Sequence, residues 1–230
     1  MSELADNLER VRETITNAAV RAGRSADSVA LVAVSKTKSA EMVAEAAARG
    51  LRRFGENRVQ EAEPKIGRVR ELLGYDPTWH LVGTLQRNKV KTALELFDIL
   101  ESVDSVRLAE AISGRALDRT VPILLEVYLG DDPSRPGFRA GELADQVDAL
   151  LELPQLEVRG LMTVAPLGLS AEQTRAVFGR LRVLRDDLKQ RRPGAHWDEL
   201  SMGMTDDYPL AIEEGATIVR VGRAIFGERP

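Results

Sequence analysis

The chain has 230 residues, 43% hydrophobic and 30% charged, with 32 basic against 36 acidic side chains for a net charge of −4. That describes an ordinary globule with room for one large core, and the lack of a basic block argues against nucleic acid or an anionic membrane as partner. The absence of cysteine excludes disulfides and thiol chemistry, the two histidines (His80 and His196) lie far apart with no carboxylate motif to make a metal site, and no run approaches the roughly 18 apolar residues of a membrane span.

The N-terminal MSELADNLER is acidic and lacks an apolar segment, so no signal peptide and a cytoplasmic location are expected. Leu4, Leu8, Val11 and Ile15 step by helical spacing and predict an amphipathic helix that Gly23 ends. SVALVAVSKTK (28–38) follows, a β-branched run without polar alternation that predicts a strand buried on both faces and ending at Lys36. By parity Ala30, Val32, Val34 and Lys36 share one face. Ser39 then caps a helix over 40–49 closed by Gly50, and RRFGEN (52–57) reads as a second strand. A helix from Arg58 is expected to kink or break at Pro64 and Gly67.

The alternation then repeats. Strands are predicted at 79–83, 97–103, 121–129, 156–164, 198–202 and 217–222, with helices at 86–96, 105–117, up to about Leu151, 170–190 and from Thr205, and a terminal turn, RAIFG. Thr205 is read as the cap of a helix whose first turn holds Asp206 and Asp207. Eight strands, each followed by a helix, predict a single-domain (β/α)8 barrel over 1–230 with an extra N-terminal helix. A doubly wound open sheet fits less well, because its Gly-rich first turn is replaced here by SKTKS.

Barrel chemistry sits at the carboxyl ends of the strands. There Lys36 stands on strand one, Asn57 on strand two, LSMGM on strand seven and VGRAIFG on strand eight. Loops seven and eight are where barrels bind phosphate, so Ser201, Gly203, Gly222 and Arg223 form a candidate phosphate cup. Both glycines would equally serve as plain turn residues. Arg220 lies between apolar neighbours and needs an anion or acceptor; a salt bridge to a strand-end acid such as Glu56 would suffice, and a ligand's aromatic nitrogen is the functional alternative. A lysine at a barrel mouth can form a Schiff base with an aldehyde, and pyridoxal phosphate combines that aldehyde with a phosphate and a pyridine nitrogen.

VAVSKTK, FGENRVQE, WHLVGTLQRNK, LSMGMTDD and TIVRVGRAIFG, in this order, resemble the YggS/PROSC-type pyridoxal phosphate homeostasis proteins from about Leu31 to Gly227. The resemblance implies a monomeric barrel like the N-terminal domain of alanine racemase, with pyridoxal 5'-phosphate held as an aldimine on Lys36. It also implies phosphate contacts from Ser201, Gly222 and Arg223, Arg220 facing the pyridine nitrogen, and Asn57 beside the ring. Three positions depart from the family pattern: Arg58 where Tyr is common, Arg135 where Lys is common, and Arg223 where Ser or Thr is common. The function implied is a cofactor carrier that supplies apo-enzymes and does not turn over amino acids. The competing readings are an amino-acid racemase and a phosphosugar barrel without cofactor. A racemase needs an acid/base on each face of the ring, and only Lys36 is evident. The chain ends at Pro230, so the second domain of such racemases is not expected.

Overall fold

Residues 3–228 are described by a computed structural model. Eight parallel strands close in chain order into a barrel, β1 pairing with β8. The strands are β1 (Ala30–Val34), β2 (Arg53–Glu56), β3 (Thr78–Leu81), β4 (Ile99–Val103), β5 (Val121–Glu126), β6 (Leu156–Met162), β7 (Glu199–Ser201) and β8 (Ile218–Val221). The helices are α1 (Glu3–Arg21), α2 (Ala40–Ala48), α3 (Val59–Leu73), α4 (Val90–Leu96), α5 (Val106–Ser113), α6 (Ala140–Leu151), α7 (Ala171–Arg191), α8 (Tyr208–Glu213) and α9 (Arg223–Phe226). Short 3-10 turns at Ala26–Ser28 and Arg87–Lys89 precede β1 and α4. None of the described helices is long and apolar enough to cross a membrane.

The predicted barrel with its additional leading helix is what the structure shows. Leu4, Leu8, Val11 and Ile15 are all buried, and α1 docks mainly on α8 and α9. Its polar anchor is Asn7, whose side chain donates to the Ile225 carbonyl at 3.2 Å. Alternation along each strand sends one set of side chains outward, under the helices, and the other inward. Phe54 and Trp79 belong to the outer set, their rings 5.6 Å apart. Val32, Leu124, Met162 and Ile218 form a separate inner cluster.

Three local expectations are corrected. The helix from Val59 to Leu73 has no break at Pro64 or Gly67, because buried Ala62, Ile66 and Val69 keep one face docked while a single backbone bond is lost. The cap of α8 is Asp207, not Thr205, and Asp206 and Asp207 precede the helix instead of filling its first turn. β1 ends at Val34, so Lys36 lies in the turn two residues beyond the strand. That turn is strained: Thr37, a β-branched residue, holds a left-handed φ of 65°. Such a conformation costs about 1–3 kcal/mol and persists where its surroundings impose it.

Candidate functional site

The barrel register brings the end of β1, two residues before Lys36, beside Arg220 and Gly222 of β8. Val32 pairs with Arg220 and Ala33 with Val221, which sets Val34 beside Gly222. A Cβ built on Gly222 would stand 3.0 Å from the Val34 carbonyl oxygen, so the strand-eight loop lies tight under the end of strand one. Lys36, half-buried, leaves β1 at this corner. Gly203, after β7, adopts φ 91°, and a Cβ there would lie 2.6 Å from the Ala211 side chain. Its carbonyl accepts from the Arg220 amide at 3.0 Å, tying loop seven to β8.

Arg220 points inward, 3% exposed, as its parity with Ile218 requires. Nη2 donates to the Thr163 carbonyl at 2.8 Å, and Nη1 donates to the Ser201 hydroxyl. Its acid is Glu101 of β4, with Nη1 4.0 Å from Oε2. The pairing with Glu56 considered from the sequence is not formed. Glu56 belongs to the outer face, between the Ser35 hydroxyl at 2.7 Å and Lys65 of α3 at 2.8 Å. Gly55 before it is the inward residue, 3.0 Å from Val32 when a Cβ is added. Parity thus turns Glu56 away from Arg220.

Ser201 is fully buried, and its single hydroxyl proton is given to Glu101. A serine hydroxyl has one donor, so in this arrangement the side chain links Arg220 to Glu101 and has no proton left for a phosphate. The hydroxyl that does stand over the strand-eight loop is Thr205, which accepts from the Ala224 amide at 3.5 Å. The Arg223 guanidinium turns outward, bound to Asp206 and, at 3.2 Å, to Glu228. Its main chain follows Gly222 directly, as the first residue of α9.

Across the mouth, a cavity of about 880 Å³ opens over the carboxyl ends of β2, β3, β5 and β6, lined among others by Asn57, Arg58, Glu126, Tyr128 and Arg135. Asn57 sits at its rim, packed so closely on Gly83 that a Cβ there would meet the Asn57 carbonyl oxygen at 2.3 Å. Glu126 stands between this cavity and the barrel interior. Burial, and then the charge of Asp104, push its carboxyl up, against the pull of Arg220 and Arg135. Asp207 is likewise pushed up by burial, although it accepts from the Met204 amide at 2.6 Å.

Two residues of this network and its loops escape the sequence reading. Glu101 had a signal, an acid inside the apolar run FDILESV, but its partner lies on the far side of the barrel. Thr205 reads from the sequence as a helix cap, and hydroxyls suit both tasks.

Fold and site together define a (β/α)8 barrel whose mouth offers a lysine amine, a buried arginine and two glycine-bearing loops suited to an anion. Residues 2–230 match the alanine racemase N-terminal domain family. The pyridoxal phosphate homeostasis protein of Escherichia coli (strain K12) is 40% identical over 231 residues, spanning 100% of this chain and 98% of that protein. The protein of the same name from Aquifex aeolicus (strain VF5) is 41% identical over 226 residues, 97% of each chain. PipY of Synechococcus elongatus PCC7942, in its structure with PLP bound, matches at 42% identity with a TM-score of 0.88, covering 98% of this chain and 100% of that one. The chain belongs to the alanine racemase N-terminal domain family and, within it, to the pyridoxal phosphate homeostasis proteins.

Proposed function

We propose that this protein binds pyridoxal 5'-phosphate at the β1–β8 corner of the barrel mouth and acts in pyridoxal phosphate homeostasis as a carrier of the cofactor. The observation that carries the reading is the pairing of β1 with β8, which brings Lys36, Arg220 and Gly222 to one place. The residues there fit the group. A lysine amine suits its aldehyde, a donor-only guanidinium suits its pyridine nitrogen, and glycine loops suit its phosphate. When bound, the cofactor supplies an electrophilic aldehyde and an electron-withdrawing ring.

The chain's own residues divide the work. Lys36 Nζ is the covalent anchor, and the strained Thr37 turn fixes where it leaves the strand. Arg220 keeps further N–H donors beyond the two committed to Ser201 and Thr163, and a permanently charged donor disfavours a proton on the ring nitrogen. The main chains around Gly203, Gly222 and Arg223, with the Thr205 hydroxyl, are the phosphate contacts, while Ser201 acts behind Arg220. Asn57 borders the ring side of the cavity. An arginine on the ring nitrogen weakens electron withdrawal, which favours holding the cofactor over reacting it. In this reading the protein is a cytoplasmic monomer that delivers pyridoxal phosphate to apo-enzymes.

Borohydride reduction of the loaded protein followed by peptide mapping is the test. The added mass is expected on Lys36; a label found mainly on Lys38 or Lys89 overturns the assignment. Incubation with an apo pyridoxal phosphate enzyme should restore that enzyme's activity. Turnover of alanine, serine or basic amino acids at about 1 s⁻¹ or faster would replace the carrier with a racemase or related enzyme.

A further inference from the structure

Glu101 is fully buried, yet both of its carboxylate oxygens are engaged. Oε1 meets His80 Nδ1 at 2.6 Å, and Oε2 accepts from the Ser201 hydroxyl. That hydroxyl in turn accepts from Arg220 Nη1, and Nη2 is held by the Thr163 carbonyl. The guanidinium is gripped at both terminal nitrogens. Burial opposes its charge, and Glu101 is the foremost of three acids, ahead of Glu126 and Asp207, that restore it. Burial would also raise the Glu101 carboxyl, but the hydrogen bond and charge of His80, the charge of Arg220 and the Ser201 hydroxyl together hold it below the usual carboxylate range. The register of β4 with β5 shifts between Leu100 and Val103, so Glu101 sits in an irregular stretch of the kind that re-aims side chains near functional sites.

We propose that Glu101 is a positioning residue for the cofactor ring: through the Ser201 hydroxyl it holds the Arg220 guanidinium toward the pyridine nitrogen and balances its charge inside the barrel. The proposal rests on the reading of this corner as the pyridoxal phosphate site. His80 completes the relay by occupying Oε1, which leaves Oε2 directed at β7 and β8. The chain of contacts runs from β3 through β4 and β7 to β8, so a single carboxylate ties opposite walls of the barrel to the residue that touches the ring. Glu101 itself touches no ligand. Its effect on the cofactor passes through Arg220.

The test compares Glu101→Gln, Arg220→Gln and the double variant with the parent protein, reading the pyridoxal phosphate dissociation constant and the visible circular dichroism per bound cofactor. The dichroism reports how firmly the ring is oriented, which general loss of stability would not change in the folded, loaded fraction. Glu101→Gln is expected to weaken binding about tenfold and to reduce the dichroism to about half or less. In the Arg220→Gln background the same change should alter the dissociation constant less than about twofold, because coupled residues are non-additive. Equal effects in both backgrounds, or no effect in the first, overturn the proposal. Should Glu101→Gln fail to fold, Ser201→Ala cuts the relay while keeping both charges of the Glu101–Arg220 pair. Reduced dichroism with unchanged competition by inorganic phosphate supports the relay, and full dichroism overturns it. A parent protein that retains no cofactor overturns the site reading itself, whereas a loaded parent with an indifferent Glu101 overturns this proposal alone.

Discussion

Two sets of side chains fill the barrel, and they follow different rules. Val32, Leu124, Met162 and Ile218 form an apolar plug with Ala30, Val82 and Val164 against it. His80, Glu101, Ser201 and Arg220 form a polar layer on β3, β4, β7 and β8. Along β8 the two meet, Ile218 in the plug and Arg220 two residues nearer the mouth. The plug stabilises the fold by removing apolar surface from water, at about 25 cal/mol per Å². The layer takes two opposite charges out of water, and a pair of that kind is often no better for stability than apolar residues of equal volume. A barrel selected only for stability would extend the plug. The layer includes Arg220, two residues before the Gly222 loop, so under the proposed reading its cost is offset by what the mouth holds.

The sharpest way to separate the two sets is to remove the proposed covalent anchor. Lys36→Ala is expected to abolish covalent retention of pyridoxal phosphate and its visible absorbance, while changing unfolding free energy by less than about 1 kcal/mol. Absorbance before and after borohydride, with a urea unfolding curve, checks both halves. A variant that stays coloured would place the anchor elsewhere.

Within the interior, Arg220→Ala leaves Glu101 with only His80 and the Ser201 hydroxyl, and should destabilise the protein by about 3–5 kcal/mol, the cost of breaking a buried ion pair. Leu124→Ala in the plug should cost about 2–5 kcal/mol through the cavity it opens. Stability alone would hardly tell them apart. Cofactor affinity would: only Arg220→Ala should lose it in the fraction that remains folded. Equal affinity losses in both would mean that the layer has no task beyond packing.

The architecture was legible because short strand-like stretches alternate with helical ones along the chain, and the apolar run 29–34 stops just before Ser35 and Lys36. Arg220 was legible as a cation among apolar neighbours. Its partner was not. Alternation places Glu56 on the outer face with Lys65, but deciding that requires knowing which face of β2 is inward, and Gly55 carries no side chain to say so. The contact between β4 and β8 crosses the barrel, a distance in sequence that no local pattern encodes. Thr205 illustrates a different limit. A hydroxyl before two acids reads as a helix start, yet Asp207 takes the cap position and accepts from Met204, which leaves Thr205 to the strand-eight loop.

That reassignment is testable on the phosphate side of the comparison. Thr205→Val preserves shape and removes the hydroxyl beside Ala224. It should weaken pyridoxal phosphate and inorganic phosphate alike by about 1–2 kcal/mol, the scale of one hydrogen bond to a charged group. Ser201→Ala should instead disturb the ring and spare inorganic phosphate. Competition titrations with both ligands give the answer, and a reversed pattern would return the phosphate hydroxyl to Ser201.

The smallest expected effect concerns a third interior acid. Glu199 lies two residues before Ser201 on β7, on the same face, and its Oε2 is buried with no hydrogen-bond partner in the described structure. Burial raises its carboxyl, and the charges of Glu101 and Glu157 raise it further, against Arg159 and His80. A group whose folded-state pKa is raised contributes stability below its unfolded pKa and loses it as pH rises through the folded value. Ionised Glu199 therefore works against the fold at neutral pH. Glu101, held low, does the reverse: its contribution is present above the unfolded value and is lost as pH falls through the folded one. Glu199→Gln removes the charge while keeping a side-chain oxygen, and should accordingly stabilise the protein slightly at pH 7.5, by less than about 1 kcal/mol after solvent screening. That gain should vanish near pH 4, where the parent side chain is itself protonated. Urea unfolding at the two pH values measures the gap. A gain that persisted at pH 4 would show that packing, not charge, sets the cost of this acid, and a loss at pH 7.5 would make Glu199 a contributing member of the polar layer.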